Sequence, residues 1–185
     1  NREKAEETTI LEDMKLNSRG YAVVTLHRPA NVDDRGALEG LVDVLEAVQN
    51  DMPVVFPIHP RTRTHLASYG FKERVDSLKN LKMVEPLGYL EFLKLLDHSR
   101  IVLTDSGGIQ EETTILKVPC LTLRENTERP ITCEIGSNHL VGTKPDTIIS
   151  SYHKVMKEMN RESGTPPLWD GHAAERIAGI ILEKV

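Results

Sequence analysis

Residues 101–116 read IVLTDSGGIQEETTIL, a short apolar run, a polar turn with two glycines, and a segment suited to a helix. Four apolar or β-branched residues bounded by turn residues are typical of a buried strand. Gly107 and Gly108 allow close approach of the backbone to a ligand, and a helix beginning there presents free N–H groups and its positive dipole end. The stretch predicts a strand–loop–helix unit that can hold a phosphate, although a Ser106 N-cap with an ordinary glycine turn is the structural alternative.

The same alternation continues on both sides of this unit. Short apolar runs predict further strands at residues 21–26, 53–58, 81–84, 120–123 and 139–141. Helices are predicted through residues 38–48, 61–69, 88–98, 130–135, 146–160 and 173–184, with Asp33 or Asp34 as the N-cap of the first. Strands separated by helices predict an α/β fold, namely a Rossmann-like parallel sheet with helices on both faces.

Composition excludes several classes of protein. The 185 residues carry 23 Lys and Arg against 28 Asp and Glu, so the net charge is −5, which disfavours broad binding of nucleic acid. No apolar run approaches the length of a membrane span, and residues 1–16 lack the apolar core of a signal peptide. The two cysteines, Cys120 and Cys133, form no metal or redox motif, and no metal or cofactor is expected. The first residue is not methionine, which predicts a fragment of a longer protein.

The polar loops after the strands are the candidate site. Ligands of such sheets bind beyond the carboxyl ends of the strands. His27 and Arg28 follow the first strand, His59 follows the second, and Arg129 follows the fifth. Each also has a non-functional interpretation: His27 as a structural histidine, the His59 loop as a solvated basic turn, and Arg129 as a member of a surface ion pair. Their convergence on one helix N-terminus would instead form a site for a dianion.

Two acidic residues, Glu111 and Glu112, follow the glycine turn. Glu111 and Glu112 either stabilise the helix dipole or accept the hydroxyls of a ribose, and the sequence leaves both interpretations open.

The chain contains no GxxxxGK[ST], GxGxxG, GxSxG or HExxH pattern. These absences disfavour P-loop nucleotidases, standard dinucleotide sites, α/β-hydrolases and zinc peptidases.

Five segments together carry a family resemblance: TLHRPANVDD, FPIHPRTR, EPLGYLEFL, TDSGGIQEETTILKVPCLTLRENTERPIT and WDGHAAERI. With these segments the chain resembles the C-terminal half of a non-hydrolysing UDP-N-acetylglucosamine 2-epimerase. That resemblance implies half of a two-domain glycosyltransferase-B fold. Residues 21–185 would form the UDP-binding Rossmann-like domain, residues 1–20 a linker or entry helix, and the N-terminal catalytic half would be absent.

The resemblance also implies an activity. Members interconvert UDP-GlcNAc and UDP-ManNAc without an added cofactor, by eliminating UDP to give a glucal and adding it back. It implies a cytoplasmic protein that is a homodimer when full-length, with UDP and UDP-GlcNAc as its ligands. Because the carboxylates thought to move the C2 proton belong to the other half, this chain alone is expected to bind UDP weakly and to be inactive.

Roles for individual residues follow from the same resemblance. It makes His27 the catalytic residue of this half and places His59 at a second, activating UDP-sugar. Residues expected to bind UDP are Arg28 near the diphosphate, the backbone of Leu87 and the ring of Phe92 at the uracil, Ser106, Gly107 and Gly108 at the diphosphate, Glu112 at the ribose, and Arg129 at a phosphate. Many members have His-Arg-Arg-Glu-Asn where residues 27–31 read HRPAN, so roles of that second Arg and that Glu do not carry over.

Three alternatives stay open on the sequence. The chain could be the nucleotide-donor domain of a UDP-sugar glycosyltransferase, which would use a similar glycine turn and ribose-binding Glu. It could derive from a hydrolysing epimerase, which releases free ManNAc and UDP. It could also be a non-catalytic module that senses nucleotide through Arg28, Ser106 and Glu112.

Overall fold

A computed structural model describes residues 1–158 and 163–183 of the chain. The strands are β1 (Ala22–Thr25), β2 (Val54–Pro57), β3 (Leu81–Val84), β4 (Ile101–Thr104), β5 (Cys120–Thr122) and β6 (Asn138–Leu140). The helices are α1 (Arg2–Glu6), α2 (Ile10–Asp13), α3 (Pro29–Val32), α4 (Arg35–Asp51), α5 (Pro60–Ser68), α6 (Lys72–Asp76), α7 (Tyr89–Asp97), α8 (Gly107–Leu116), α9 (Pro130–Glu134), α10 (Pro145–Lys157) and α11 (Ala173–Glu183).

All six strands pair in parallel in the order β3-β2-β1-β4-β5-β6. The predicted α/β class is confirmed, and every predicted strand is present within two residues of its expected ends. Asp34 is the N-cap of α4, where its side chain accepts the N–H of Ala37 at 2.8 Å. The predicted ends of the last two helices, Asn160 and Lys184, lie outside the described residues.

The sheet is covered on both faces because side chains along each strand alternate between two cores. Ala22 and Val24 of β1 pack with α4, α5 and α10, whereas Tyr21 and Val23 pack with α7 and α8 on the opposite face. Such burial on both sides is the usual environment of a parallel sheet. Both cores hold the carboxyl ends of the central strands in fixed positions.

The first two helices belong to the second of these cores. Ala5, Ile10 and Leu11 are buried there. Lys94 of α7 is also buried, and its Nζ donates to the backbone oxygens of Glu6 at 3.0 Å and Thr8 at 2.5 Å. These contacts dock the N-terminal segment firmly on α7.

The strand order places a topological switch point between β1 and β4. From β1 the chain moves outward through β2 to β3, and β4 then returns to the other side of β1. Connections leave the two strands in opposite directions, so a crevice opens at their carboxyl ends. The loops after Thr25 and Thr104 form the walls of this crevice.

Candidate functional site

His27 and Asp105 meet across the switch point. The hydroxyls of Thr25 and Thr104 hydrogen-bond at 2.6 Å at the ends of β1 and β4, and just beyond them His27 Nδ1 lies 2.8 Å from Asp105 Oδ1. The Asp105 side chain is fully buried, whereas that of His27 is 43% exposed. The pair therefore has a buried acidic end and an accessible imidazole that faces the crevice.

Asp105 organises the entire loop after β1. Its carboxylate accepts the backbone N–H of His27 at 3.0 Å and of Arg28 at 2.9 Å, and the amide of Asn31 at 3.2 Å. Burial disfavours the charged carboxylate, but hydrogen bonds from His27 and from backbone N–H groups outweigh this and lower the pKa of Asp105. Asp105 therefore supplies a fixed negative charge beneath His27.

The same contact acts on His27 in the opposite direction. Its hydrogen bond with Asp105 raises the pKa of His27, while burial and the nearby Arg28 act against that rise. The Asp105 contact engages Nδ1 and leaves Nε2 toward the accessible side. The site thus favours a protonated imidazole, which can donate to an anionic oxygen.

Arg28 is held at the mouth of the crevice by two contacts. Its Nε donates to the backbone oxygen of Asp105 at 2.9 Å, and its Nη2 lies 3.5 Å from Glu128 Oε1. Its side chain remains 37% exposed. Arg28 therefore retains donors for a ligand beside the loop that precedes α8.

The N-terminus of α8 is open toward the crevice. Ser106 is the N-cap, and its side chain makes no capping hydrogen bond. A Cβ added at Gly108 would meet no protein atom within 4 Å, and one at Gly107 would meet only Glu128 Oε2 at 3.8 Å. The glycines therefore border open space next to unpaired N–H groups, as an anion site requires.

Five of the predicted residues line one cavity of about 230 Å³: His27, His59, Leu87, Phe92 and Ser106. The ring centroids of His27 and His59 are 6.3 Å apart. His59 Nδ1 accepts the backbone N–H of Arg61 at 3.2 Å. His59 therefore borders the same cavity as His27, and its assignment to a second UDP-sugar stays a prediction.

Glu112 lies outside that cavity, in a neighbouring groove with Tyr89 and Trp169. Burial, with a smaller contribution from the carboxylate of Glu111, raises the pKa of Glu112. Within the described part of the chain, no side chain donates to Glu112. A half-buried carboxylate without a donor is suited to accept hydroxyl groups.

Arg129 is held by two contacts and remains partly exposed. Its Nε is 2.6 Å from Glu111 Oε1, and its Nη1 donates to the backbone oxygen of Glu128 at 3.2 Å. Its side chain is 43% exposed, so the ion pair with Glu111 leaves part of the guanidinium open to a further acceptor.

Two further residues have roles that the sequence did not reveal. Arg124 forms a bidentate pair with Glu128, at 2.5 and 2.7 Å, and its hydrogen bonds lower the pKa of Glu128 to about 2. Gln110 is fully buried and connects the loop before α8 with the loop that carries Arg129. Asp105 and Gln110 both lie in the quoted stretch 101–116, but nothing in that stretch identifies their distant partners.

The fold and this crevice define a doubly wound α/β domain with basic side chains and an open helix N-terminus at its switch point. A model of the family described as UDP-N-acetylglucosamine 2-epimerase matches residues 1–182. UDP-N-acetylglucosamine 2-epimerase from Methanocaldococcus jannaschii is 42% identical over 163 residues, which is 87% of this chain and 44% of that protein. UDP-2,3-diacetamido-2,3-dideoxy-D-glucuronate 2-epimerase from Pseudomonas aeruginosa is 40% identical over 167 residues, 89% of this chain and 45% of that protein.

A solved structure gives the same result at the level of the fold. The crystal structure of the M. jannaschii enzyme in complex with UDP-GlcNAc and UDP matches with a TM-score of 0.85 and 39% identity, covering 99% of this chain and 51% of that one. The chain belongs to the UDP-N-acetylglucosamine 2-epimerase family, as the sequence resemblance predicted. It spans about half the length of the curated relatives it matches.

Over residues 1–158 and 163–183, no helix is long and apolar enough to cross a membrane. The same residues contain no group of three or more His, Cys, Asp or Glu that could hold a metal ion.

Proposed function

We propose that the chain is the UDP-binding half of an enzyme that interconverts UDP-GlcNAc and UDP-ManNAc. The observation that carries the proposal is the crevice between β1 and β4, where His27 on Asp105 faces the open N-terminus of α8. Membership of the family and the similarity to an enzyme solved with UDP-GlcNAc and UDP support the choice of ligand.

The proposed binding mode assigns each part of UDP to a different element. The diphosphate lies at Ser106, Gly107 and Gly108, with Arg28 and Arg129 as flanking cations. Arg129 then shares its guanidinium between Glu111 and a phosphate, because its side chain is 43% exposed beside that ion pair. Glu112 accepts the ribose hydroxyls, and the uracil lies against Phe92 and the backbone of Leu87.

His27 acts on the leaving group in this proposal. In the elimination the C1–O bond breaks and its electron pair leaves with UDP, while the C2–H bond supplies the electrons of the new C1=C2 bond. The C2 proton goes to a base, and addition of UDP with return of a proton on the other face gives the epimer. Protonated His27 stabilises the charge that develops on the diphosphate. We assign no residue of this chain as the base, so the chain alone is proposed to be inactive.

A single glycine tests the binding mode. A methyl group at Gly108 would enter the proposed diphosphate site without touching the protein, and alanine favours a helix more than glycine does. We expect Gly108→Ala to raise the melting temperature by a few degrees and to weaken UDP binding at least about tenfold. NMR titration with UDP and thermal unfolding measure the two effects.

Gly179 provides the matched control for this substitution. It lies in α11, where an added Cβ would also meet nothing within 4 Å. Gly179→Ala should therefore leave UDP binding unchanged. Equal UDP affinity of the Gly108→Ala variant and the wild type would contradict the proposed diphosphate site.

A related UDP-sugar is the second candidate substrate. The P. aeruginosa relative, named for a diacetamido uronate sugar, is almost as similar as the M. jannaschii one. The residues assigned above contact UDP and leave the sugar to other parts of the enzyme. Epimerisation assays of the full-length protein with UDP-GlcNAc and with the UDP-diacetamido uronate sugar distinguish the two candidate substrates. Transfer of the sugar to an acceptor would instead indicate a glycosyltransferase.

A further inference from the structure

The two loops that would hold the diphosphate come from separate parts of the chain. One precedes α8 and contains Ser106, and the other follows β5 and carries Arg129. Their separation determines whether the helix N-terminus and the arginine can contact the same ligand. An error of about 1 Å is enough to lose a charge-assisted hydrogen bond.

The side chain of Gln110 bridges these loops. Its Nε2 donates to the backbone oxygen of Ser106 at 3.1 Å, and its Oε1 accepts the hydroxyl of Thr127 at 2.5 Å. The amide of Asn138 donates to the same Oε1 at 3.2 Å. Gln110 is fully buried, so no water replaces these partners at low cost.

The bridge continues from Thr127 to the backbone of Arg129. The Thr127 hydroxyl oxygen accepts the N–H of Arg129 at 2.9 Å. An unbroken path of three hydrogen bonds therefore runs from the carbonyl of Ser106 through Gln110 and Thr127 to Arg129. A hydrogen-bonded path that is anchored on a buried amide restricts the two loops to one relative geometry.

We propose that Gln110 is a positioning residue that sets the distance between the α8 N-terminus and Arg129, and thereby selects a nucleoside diphosphate over a monophosphate. This inference rests on the proposed function, because it needs UDP in the crevice. In this proposal a monophosphate contacts only one of the two loops, so its binding does not depend on their separation. A diphosphate that contacts both loops does depend on it.

Isosteric removal of the bridge tests the proposal. Gln110→Met keeps the length of the side chain but removes the donor and the acceptor, and Thr127→Val removes only the hydroxyl. We expect each variant to weaken UDP binding about fivefold to twentyfold and UMP binding less than about twofold. The double variant should lose no more than the larger single effect, because both changes break one path.

Thr113→Val is the matched control on the same helix. Its hydroxyl is also buried, but it donates to the backbone oxygens of Ile109 and Gln110, and within the described residues neither of these hydrogen bonds reaches the Arg129 loop. This variant should keep the wild-type ratio of UDP to UMP affinity. The amide resonances of Ser106 and Arg129 should shift in Gln110→Met and Thr127→Val but not in the control.

The outcomes separate this inference from the function on which it rests. If the wild type binds UDP in the crevice but the variants weaken UDP and UMP equally, or weaken neither, Gln110 does not set diphosphate selectivity. If the wild type binds neither nucleotide, the proposed function fails, and this inference fails with it. Should Gln110→Met not fold, the Thr127→Val ratio decides alone, since Thr127 is only partly buried.

Discussion

At the scale of single residues, the site depends on a buried carboxylate, that of Asp105, to which we assign no contact with UDP. The Asp105 carboxylate contacts the His27 imidazole and accepts hydrogen bonds from two backbone N–H groups and the Asn31 amide. These contacts fix the loop that carries His27 and Arg28. The cost of burying its charge is offset by these donors. Because Asp105 comes just before Ser106, Gly107 and Gly108, it links the loop after β1 to the loop that precedes α8.

The pH dependence of His27 follows from this contact. Because the pKa of His27 is raised in the folded chain, its contribution to stability is fully present below the unfolded-state pKa. That contribution is lost as the pH rises through the raised folded-state pKa. UDP affinity should fall over the same range, because the imidazolium faces the proposed diphosphate. Asp105 and Arg28 act on this ring through their charges, and the ring of His59 lies 6.3 Å from it.

Asp105→Asn tests this coupling. The uncharged amide should lower the pKa of His27 and weaken UDP binding at pH 7 by about threefold to tenfold. NMR titration of the His27 ring measures the pKa directly. The control is Glu6→Gln, which removes the carboxylate 2.9 Å from His98 at the C-terminal end of α7 and should leave His27 unchanged. An unaltered pKa of His27 in Asp105→Asn would refute the coupling.

At the scale of elements, α4 and α10 approach each other closely at Gly40. A Cβ at Gly40 would lie 2.4 Å from Cγ of Pro145, the first residue of α10. We expect Gly40→Ala to lower the free energy of unfolding by about 1–3 kcal/mol, because the helices must separate. Chemical denaturation measures this, with Gly179→Ala as the unstrained control. A gain in stability would show that α10 moves aside easily.

Elements with a clear hydrophobic period were predictable, and so was the short helix α9, which begins at Pro130, but two other short helices were not. Strands such as β4 are bounded by turn residues, and α4 carries an apolar stripe over 17 residues. Helices α3 and α6 have four and five residues, too few for a helical period to emerge. These two helices form because neighbouring elements pack against them, and local hydrophobic periodicity carries no information about such tertiary contacts.

The site was predictable as a set of loops but not as a set of contacts. Parallel topology alone brings the residues after each strand to one edge, so His27, Arg28 and Ser106 could be grouped from the sequence. The partner of Arg129 could not be found this way. Glu111 is 18 residues earlier, and the adjacent Glu128 pairs with Arg124 instead. Such choices depend on side-chain direction in three dimensions.

At the scale of the whole molecule, the proposal separates binding from proton transfer. The described crevice supplies cations and helix N–H groups for UDP, while a base for the weakly acidic C2 proton is not among the residues assigned. The chain spans about half of its curated relatives, which fits a role as one partner in a divided site. Nucleotide binding without turnover is the expected behaviour of this chain.

The most direct test of the account is an amide NMR titration of the chain with UDP. The account predicts saturable shifts that cluster at residues 106–112, Phe92 and Arg129, with UDP-GlcNAc remaining unconverted in a parallel sample. Shifts confined to the opposite edge of the sheet, or no shifts at millimolar UDP, would contradict the claim that the crevice between β1 and β4 is a preformed nucleotide site.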